Sequence, residues 1–202
     1  MARGHDITVD LILDIAKDLF ARDGVKGTTM DNIAKKARLG KSVLYQYFSS
    51  KDDLIAGVID REIEHLKRSL KIDLDDEDDP IIRLARMWSN AIDFYKRDDF
   101  LMHLLRGNEL DLSPYMYEGY IMKIETFVVG LLESIIQSAI DKNMFVECDS
   151  RIAAYMGYKI YQVGTYGKTE TLKEYTPKQI MKKTIQIMGW GLLNQKPDQD
   201  IP

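Results

Sequence analysis

The chain has 202 residues, 45% hydrophobic and 30% charged, with a formal net charge of −4. This is the composition of a soluble globular protein with length for one large or two small domains. No apolar run approaches the roughly 18–20 residues that span a bilayer, the start MARGHDITVD lacks the apolar centre of a secretory signal, and a single cysteine, Cys148, forbids an internal disulfide, so a cytoplasmic, non-membrane protein is expected.

Residues 1–8 read as a short mobile arm, either a plain untethered terminus or one whose Arg3 and His5 reach a nucleic-acid backbone. The first helix is expected over Val9–Arg22, with Ile12, Ile15, Ala16, Leu19 and Phe20 on one face and Asp23-Gly24 ending it. The stretch from Thr28 to Leu54 then organises the chain. Thr29 is placed to cap a helix whose apolar face is Met30, Ile33, Ala34 and Ala37. The pattern breaks at Arg38-Leu39-Gly40 and resumes with Leu44 and Phe48. That narrow stripe leaves Lys41, Ser42, Val43, Tyr45, Gln46 and Tyr47 for another partner. Two short helices with a tight joint make either a plain helical hairpin or a helix-turn-helix reader of the DNA major groove. A solvated face is usually rich in Glu and Lys. This one carries two tyrosines, a serine, a glutamine and a valine beside its lysine, residues suited to phosphates, base edges and thymine methyls.

The charge split agrees. Residues 1–51 carry nine Lys/Arg against six Asp/Glu, a surplus of +3, and the remainder carries −7. A basic head on an acidic body turns the head toward phosphate. Ser49 or Ser50 can cap a fourth helix running to about Ile72, and Lys51 stands at its positive end, where an anion would be favoured. Asp73–Pro80, DLDDEDDP, reads as a solvated loop with Pro80 opening the next helix; it lacks the glycine and spacing of a calcium loop.

The remainder reads as helical. Leu84, Met87, Trp88, Ala91 and Tyr95 line a fifth helix, and Phe100–Leu105 marks a short sixth. Ser113-Pro114 opens a long helix to about Asn143, and Asp149-Ser150 caps another through Val163. A loop follows from Gly164 to Tyr175, and Thr176-Pro177 opens a last helix ending near Asn194. The last two long helices are apolar over wide arcs and carry Gly157, Gly164, Gly189 and Gly191, which fits a partner subunit or a helix buried on all sides. The body is also rich in methionine and aromatic residues, which suit an apolar ligand pocket between helices or plain core. Trp88, Tyr95, Phe100, Tyr120, Phe127 and Tyr155 are the candidates for contacting such a ligand. No nucleophile elbow, phosphate loop, CxxC or HExxH is present, and His5, His65 and His103 lack metal-ligand spacing. No enzyme, cofactor or metal is expected.

The segment IAKKARLGKSVLYQYFSSKDDL resembles the DNA-binding signature of the tetracycline-repressor (TetR) family of bacterial transcriptional regulators. The resemblance covers about residues 9–60, and Val43-Leu44-Tyr45-Gln46-Tyr47-Phe48 followed by Lys51 carries it most specifically. It implies an all-α homodimer. Residues 1–51 would form a three-helix helix-turn-helix head, and residues 52–202 a helical effector-binding and dimerisation body, paired through the last two long helices. It places Thr29, Tyr45 and Lys51 at phosphate-contacting positions, and Lys41, Ser42, Val43, Gln46 and Tyr47 at groove-facing ones. Arg38 stands where the family usually has glycine, and Gly40 where it usually has Ser or Thr, so either Arg38 takes a left-handed backbone at some cost or the turn is shaped differently. The function implied is a repressor on a palindromic double-stranded operator, released by a small apolar effector. The alternative is an apolar small-molecule binding module without a primary transcriptional role.

Overall fold

The computed structural model describes residues 3–72, 74, 79–97, 100–165, 173–176, 179 and 183. Among them the chain forms eight helices: α1 (Arg3–Gly27), α2 (Met30–Lys36), α3 (Lys41–Tyr47), α4 (Lys51–Leu70), α5 (Pro80–Arg97), α6 (Phe100–Leu105), α7 (Pro114–Asp141) and α8 (Ser150–Thr165). No described residue is in a strand, and the fold is all-α as expected.

The helix starts follow the caps read from the sequence. Thr29 Oγ1 accepts from Asn32 N at 3.2 Å. Asp53 N donates to Ser50 Oγ at 3.0 Å, opening α4. Ile81 N donates to Asp79 Oδ1 at 2.7 Å, with Pro80 in the first turn of α5. Ile152 N donates to Asp149 Oδ1 at 2.9 Å. Further on, Thr176 and Gln179 exchange bonds, Thr176 N to Gln179 Oε1 at 2.8 Å and Gln179 N to Thr176 Oγ1 at 3.3 Å, the reciprocal box that starts a helix. The last helix itself, and most of Asp73–Pro80 and Gly164–Tyr175, lie outside the described residues.

The structure corrects α1 at both ends. It begins at Arg3, so residues 3–8 are helical and not a mobile arm; once the amphipathic helix is nucleated, each further residue adds a bond at little cost. At the other end Gly24 does interrupt the helix, with φ 71° and ψ 167°, but a final turn follows to Gly27. Only glycine takes that conformation without strain.

Packing divides the chain into two compact units, Met1–Ser69 with Phe94–Ile121, and Leu70–Asp93 with Met122–Pro202. These units follow packing and cut the chain differently from the division by role at residue 51. In the first unit, Ile12, Ala16 and Phe20 of α1, Ile33 of α2, Leu44 of α3, Leu54, Ile55, Val58 and Ile59 of α4, and Leu104 of α6 are all fully buried. Each such large side chain stabilises the fold by about 1.5–3 kcal/mol. Gly57 lets α4 come close: a Cβ there would lie 3.3 Å from Phe48 Cε1 and 3.4 Å from Leu13 Cδ2. In the second unit the buried face of α7 is Ile124, Val128, Leu132, Ile135, Ile136 and Ala139.

Candidate nucleic-acid interface

The joint between α2 and α3 is set by hydrogen bonds. Leu39 N donates to Ala34 O at 2.9 Å and Arg38 N to Lys35 O at 3.2 Å, the paired bonds that close a helix with a left-handed residue between them. That residue is Arg38, at φ 55°, so of the two outcomes open for this position the left-handed backbone is the one the turn takes. Gly40 then takes the N-cap of α3 in extended backbone and offers no side-chain bond.

This joint fixes which face α3 presents. Leu44 and Phe48 are buried, Val43 and Tyr47 are half-buried, and Lys41, Ser42, Tyr45 and Gln46 are exposed. The exposed face therefore holds an ammonium, a hydroxyl, a phenol and an amide on a short rigid helix. Together these offer donors for phosphate oxygens and an amide able to pair with a base edge. Thr29 is exposed at the head of α2. Lys41 is not idle, since its Nζ lies 2.8 Å from Asp31 Oδ1. The Asp31 carboxylate holds the Lys41 ammonium above the ordinary lysine range, through its hydrogen bond first and its charge second.

Lys51 has a second task that the sequence did not disclose. Its Nζ donates to Val25 O at 2.8 Å and Thr28 O at 3.1 Å, tying the start of α4 to the connection before Thr29. Thr28, 1% exposed, adds to this by donating to Gly24 O at 2.9 Å. Two of the three ammonium donors of Lys51 are thereby engaged within the head.

Two buried charges were also missed. Glu62 is 1% exposed, and its Oε2 lies 3.0 Å from Lys17 Nζ of α1 and 3.4 Å from His65 Nδ1. Arg61 Nη2 meets Asp14 Oδ1 of α1 at 2.7 Å. In the second unit Arg83 is 5% exposed. The available signal was position: Glu62 falls among Ile55, Val58, Ile59, Ile63 and Leu66, and Arg83 among Leu84 and Met87, each on an apolar stripe.

The six candidate effector residues fall in both units. In the first, Phe100 is buried with Lys17 Nζ 5.9 Å from its ring centroid. Tyr120 donates weakly to Ala56 O at 3.5 Å, and burial, then Asp60, push its phenol up to about 12. In the second, Trp88 stacks on Tyr161 with centroids 4.7 Å apart, and Lys71 Nζ lies 5.6 Å from the Phe127 ring centroid. Tyr155 lines an open groove of about 420 Å³ between α7 and α8 with Glu125, Thr126, Val129, Gly130, Glu133, Arg151 and Ile152. The side chain of Tyr95 lies outside those described. Among the described residues there is no cluster that could hold a metal ion, and no helix is long and apolar enough to cross a membrane.

The geometry defines a helix-turn-helix protein whose second helix exposes a polar, aromatic face. Residues 12–58 match the family model described as bacterial regulatory proteins, tetR family. The HTH-type transcriptional repressor SCO4008 of Streptomyces coelicolor is 30% identical over 146 residues, 69% of this chain and 72% of that one. The uncharacterized HTH-type transcriptional regulator YhgD of Bacillus subtilis is 26% identical over 155 residues, 75% of this chain and 78% of that one. Among solved structures, the transcriptional regulator FadR from Bacillus subtilis in complex with stearoyl-CoA superposes with a TM-score of 0.71 at 19% identity, covering 90% of this chain and 97% of that one, a likeness of fold. The chain belongs to the tetR family of bacterial regulatory proteins.

Proposed function

We propose that this regulator is a repressor that binds a palindromic operator as a homodimer and is released by a small apolar effector. The observation that carries the reading is the exposed face of α3, with Lys41, Ser42, Tyr45 and Gln46 outward while Leu44 and Phe48 anchor the helix. By role, residues 1–51 read DNA and residues 52–202 bind effector and partner. Lys41, Ser42, Val43, Gln46 and Tyr47 meet the groove; Thr29, Tyr45 and Lys51 meet phosphate.

The dimer rests on the described part of α8. Ile152, Tyr155, Met156 and Val163 are 59%, 45%, 55% and 43% exposed and recur at helical spacing, an apolar stripe that a second copy would cover. For the effector we favour an acyl thioester or a molecule of similar apolar length. The stearoyl-CoA held by FadR, which shares this fold, supports that class. The effector would act by binding more tightly to the conformation with low DNA affinity.

Gel-shift titration of the purified protein against DNA upstream of its own gene tests the reading. A salt-dependent, sequence-selective complex that long-chain acyl-CoA dissociates is expected. Sequence-selective binding that no apolar ligand alters would remove the effector part, and absence of any selective complex would remove the whole. Within the head, Tyr45→Ala should weaken binding to all sequences alike, whereas Gln46→Ala should relax preference at one position.

A further inference from the structure

The connection between α6 and α7 is built more tightly than a surface loop requires. Gly107, Asn108 and Asp111 all have positive φ, at 116°, 62° and 60°. Asn108 clamps the turn from both sides: its Nδ2 donates to Leu112 O and its Oδ1 accepts from Leu112 N, both at 2.9 Å. Glu109 N donates to His103 O at 2.7 Å, and Glu109 Oε2 meets His103 Nδ1 at 3.0 Å. Leu110 and Leu112 are buried beneath. The connection is thus fixed in shape before it meets anything else.

What it meets is the head. Val25 N donates to Leu110 O at 3.1 Å, and Lys26 Nζ bonds Asp111 Oδ1 at 2.7 Å. Val25 is the same residue whose carbonyl accepts from Lys51. Its peptide groups therefore bridge the connection on one side and the start of α4 on the other. The Gly24 interruption separates this last turn from the body of α1, so these bonds, with those of Thr28 to Leu19 O and Gly24 O, set the position of Val25–Thr28. Thr29, the cap of α2, follows directly.

We infer that Asn108–Leu112 is a positioning element for DNA binding: it holds Val25–Thr28, and through that segment the Thr29 cap and Lys51, in the geometry the head needs on DNA. It touches no DNA itself. The inference rests on the reading of α3 as a DNA-reading helix and adds residues outside the head to that task. The element lies between α6 and α7 in the chain, and α7 runs on into the second unit, so a change there has a covalent route to it.

The test uses Asn108→Gly in the full chain. Glycine keeps the positive φ and removes both side-chain bonds, with no change of charge. Two measurements are made. In amide hydrogen exchange, residues 25–32 should exchange at least fivefold faster than in the wild type, while 9–20 and 52–66 stay protected. Affinity for the protein's own upstream DNA should fall at least fivefold, with the slope of binding against salt unchanged because no phosphate contact is lost. Exchange that rises evenly across the unit, or not at all in 25–32, overturns the inference. So does wild-type DNA affinity in a variant whose wild-type parent binds selectively. If the parent shows no selective binding, the repressor reading fails, the inferred DNA role fails with it, and exchange alone reports the mechanical coupling.

Discussion

Lys41 sits at the start of α3, the helix proposed to face the groove, with its charge already engaged by Asp31. The pair is exposed on both sides, so it competes with phosphate at little energy. Asp31→Asn should therefore tighten DNA binding about threefold at low salt and steepen the salt slope by up to about one, as one more cation becomes available. Anisotropy titrations at several salt concentrations measure both. Because the Lys41 ammonium is held above its ordinary range, its charge is complete at neutral pH and is lost only as pH rises beyond that range. Binding between about pH 6 and 9 should show no transition from this residue. Arg38 gives the opposite kind of prediction. Its φ of 55° is strained for an L side chain by roughly 1 kcal/mol, so Arg38→Gly should raise the melting temperature by a few degrees, less the backbone entropy glycine adds. Gly40→Ser should add a few tenths of a kcal/mol as a cap, because a Cβ there meets nothing closer than 3.9 Å.

At the scale of elements, the head is held to α4 by polar bonds as well as by core. Lys51→Met removes two charge-assisted bonds from a part-buried site and should lower stability by about 1–3 kcal/mol in urea unfolding. It should also weaken DNA binding for all sequences alike, through displacement of Thr29 as well as the lost charge. Glu62 joins α4 to α1 through Lys17. Glu62→Ala should cost about 2 kcal/mol, less than a fully enclosed pair because the Lys17 side chain is 21% exposed. Elements with a local signal were legible in the sequence: α2 and α3 from a cap and a narrow stripe, α5 from Pro80, α6 from its apolar run. The true extent of α1 was not, because Asp23-Gly24 reads as a stop and nothing local reveals that the chain resumes a turn afterwards. The second role of Lys51 was hidden for a related reason, as its acceptors lie 26 and 23 residues away.

For the whole molecule, the exposed face of α3 could be read because it is local in sequence, lying within the seven residues of one helix. The effector candidates could not be assembled that way. Aromatic composition names residues without saying which helices meet, and Phe100 and Tyr120 prove to pack in the unit that contains α1 to α3, whereas Trp88, Phe127 and Tyr155 belong to the other. The proposed dimer makes its own prediction: Met156→Glu on the exposed stripe of α8 should shift the protein from dimer to monomer in sedimentation velocity at micromolar concentration, and lower DNA affinity with it. The central claim is that two such heads enter successive major grooves. Footprinting of the protein on its own upstream DNA across a range of salt tests it most directly. Two protected half-sites about 34–36 Å apart, lost as salt rises, are predicted. Protection that is uniform along the fragment, or absent from every promoter-proximal sequence, would contradict it.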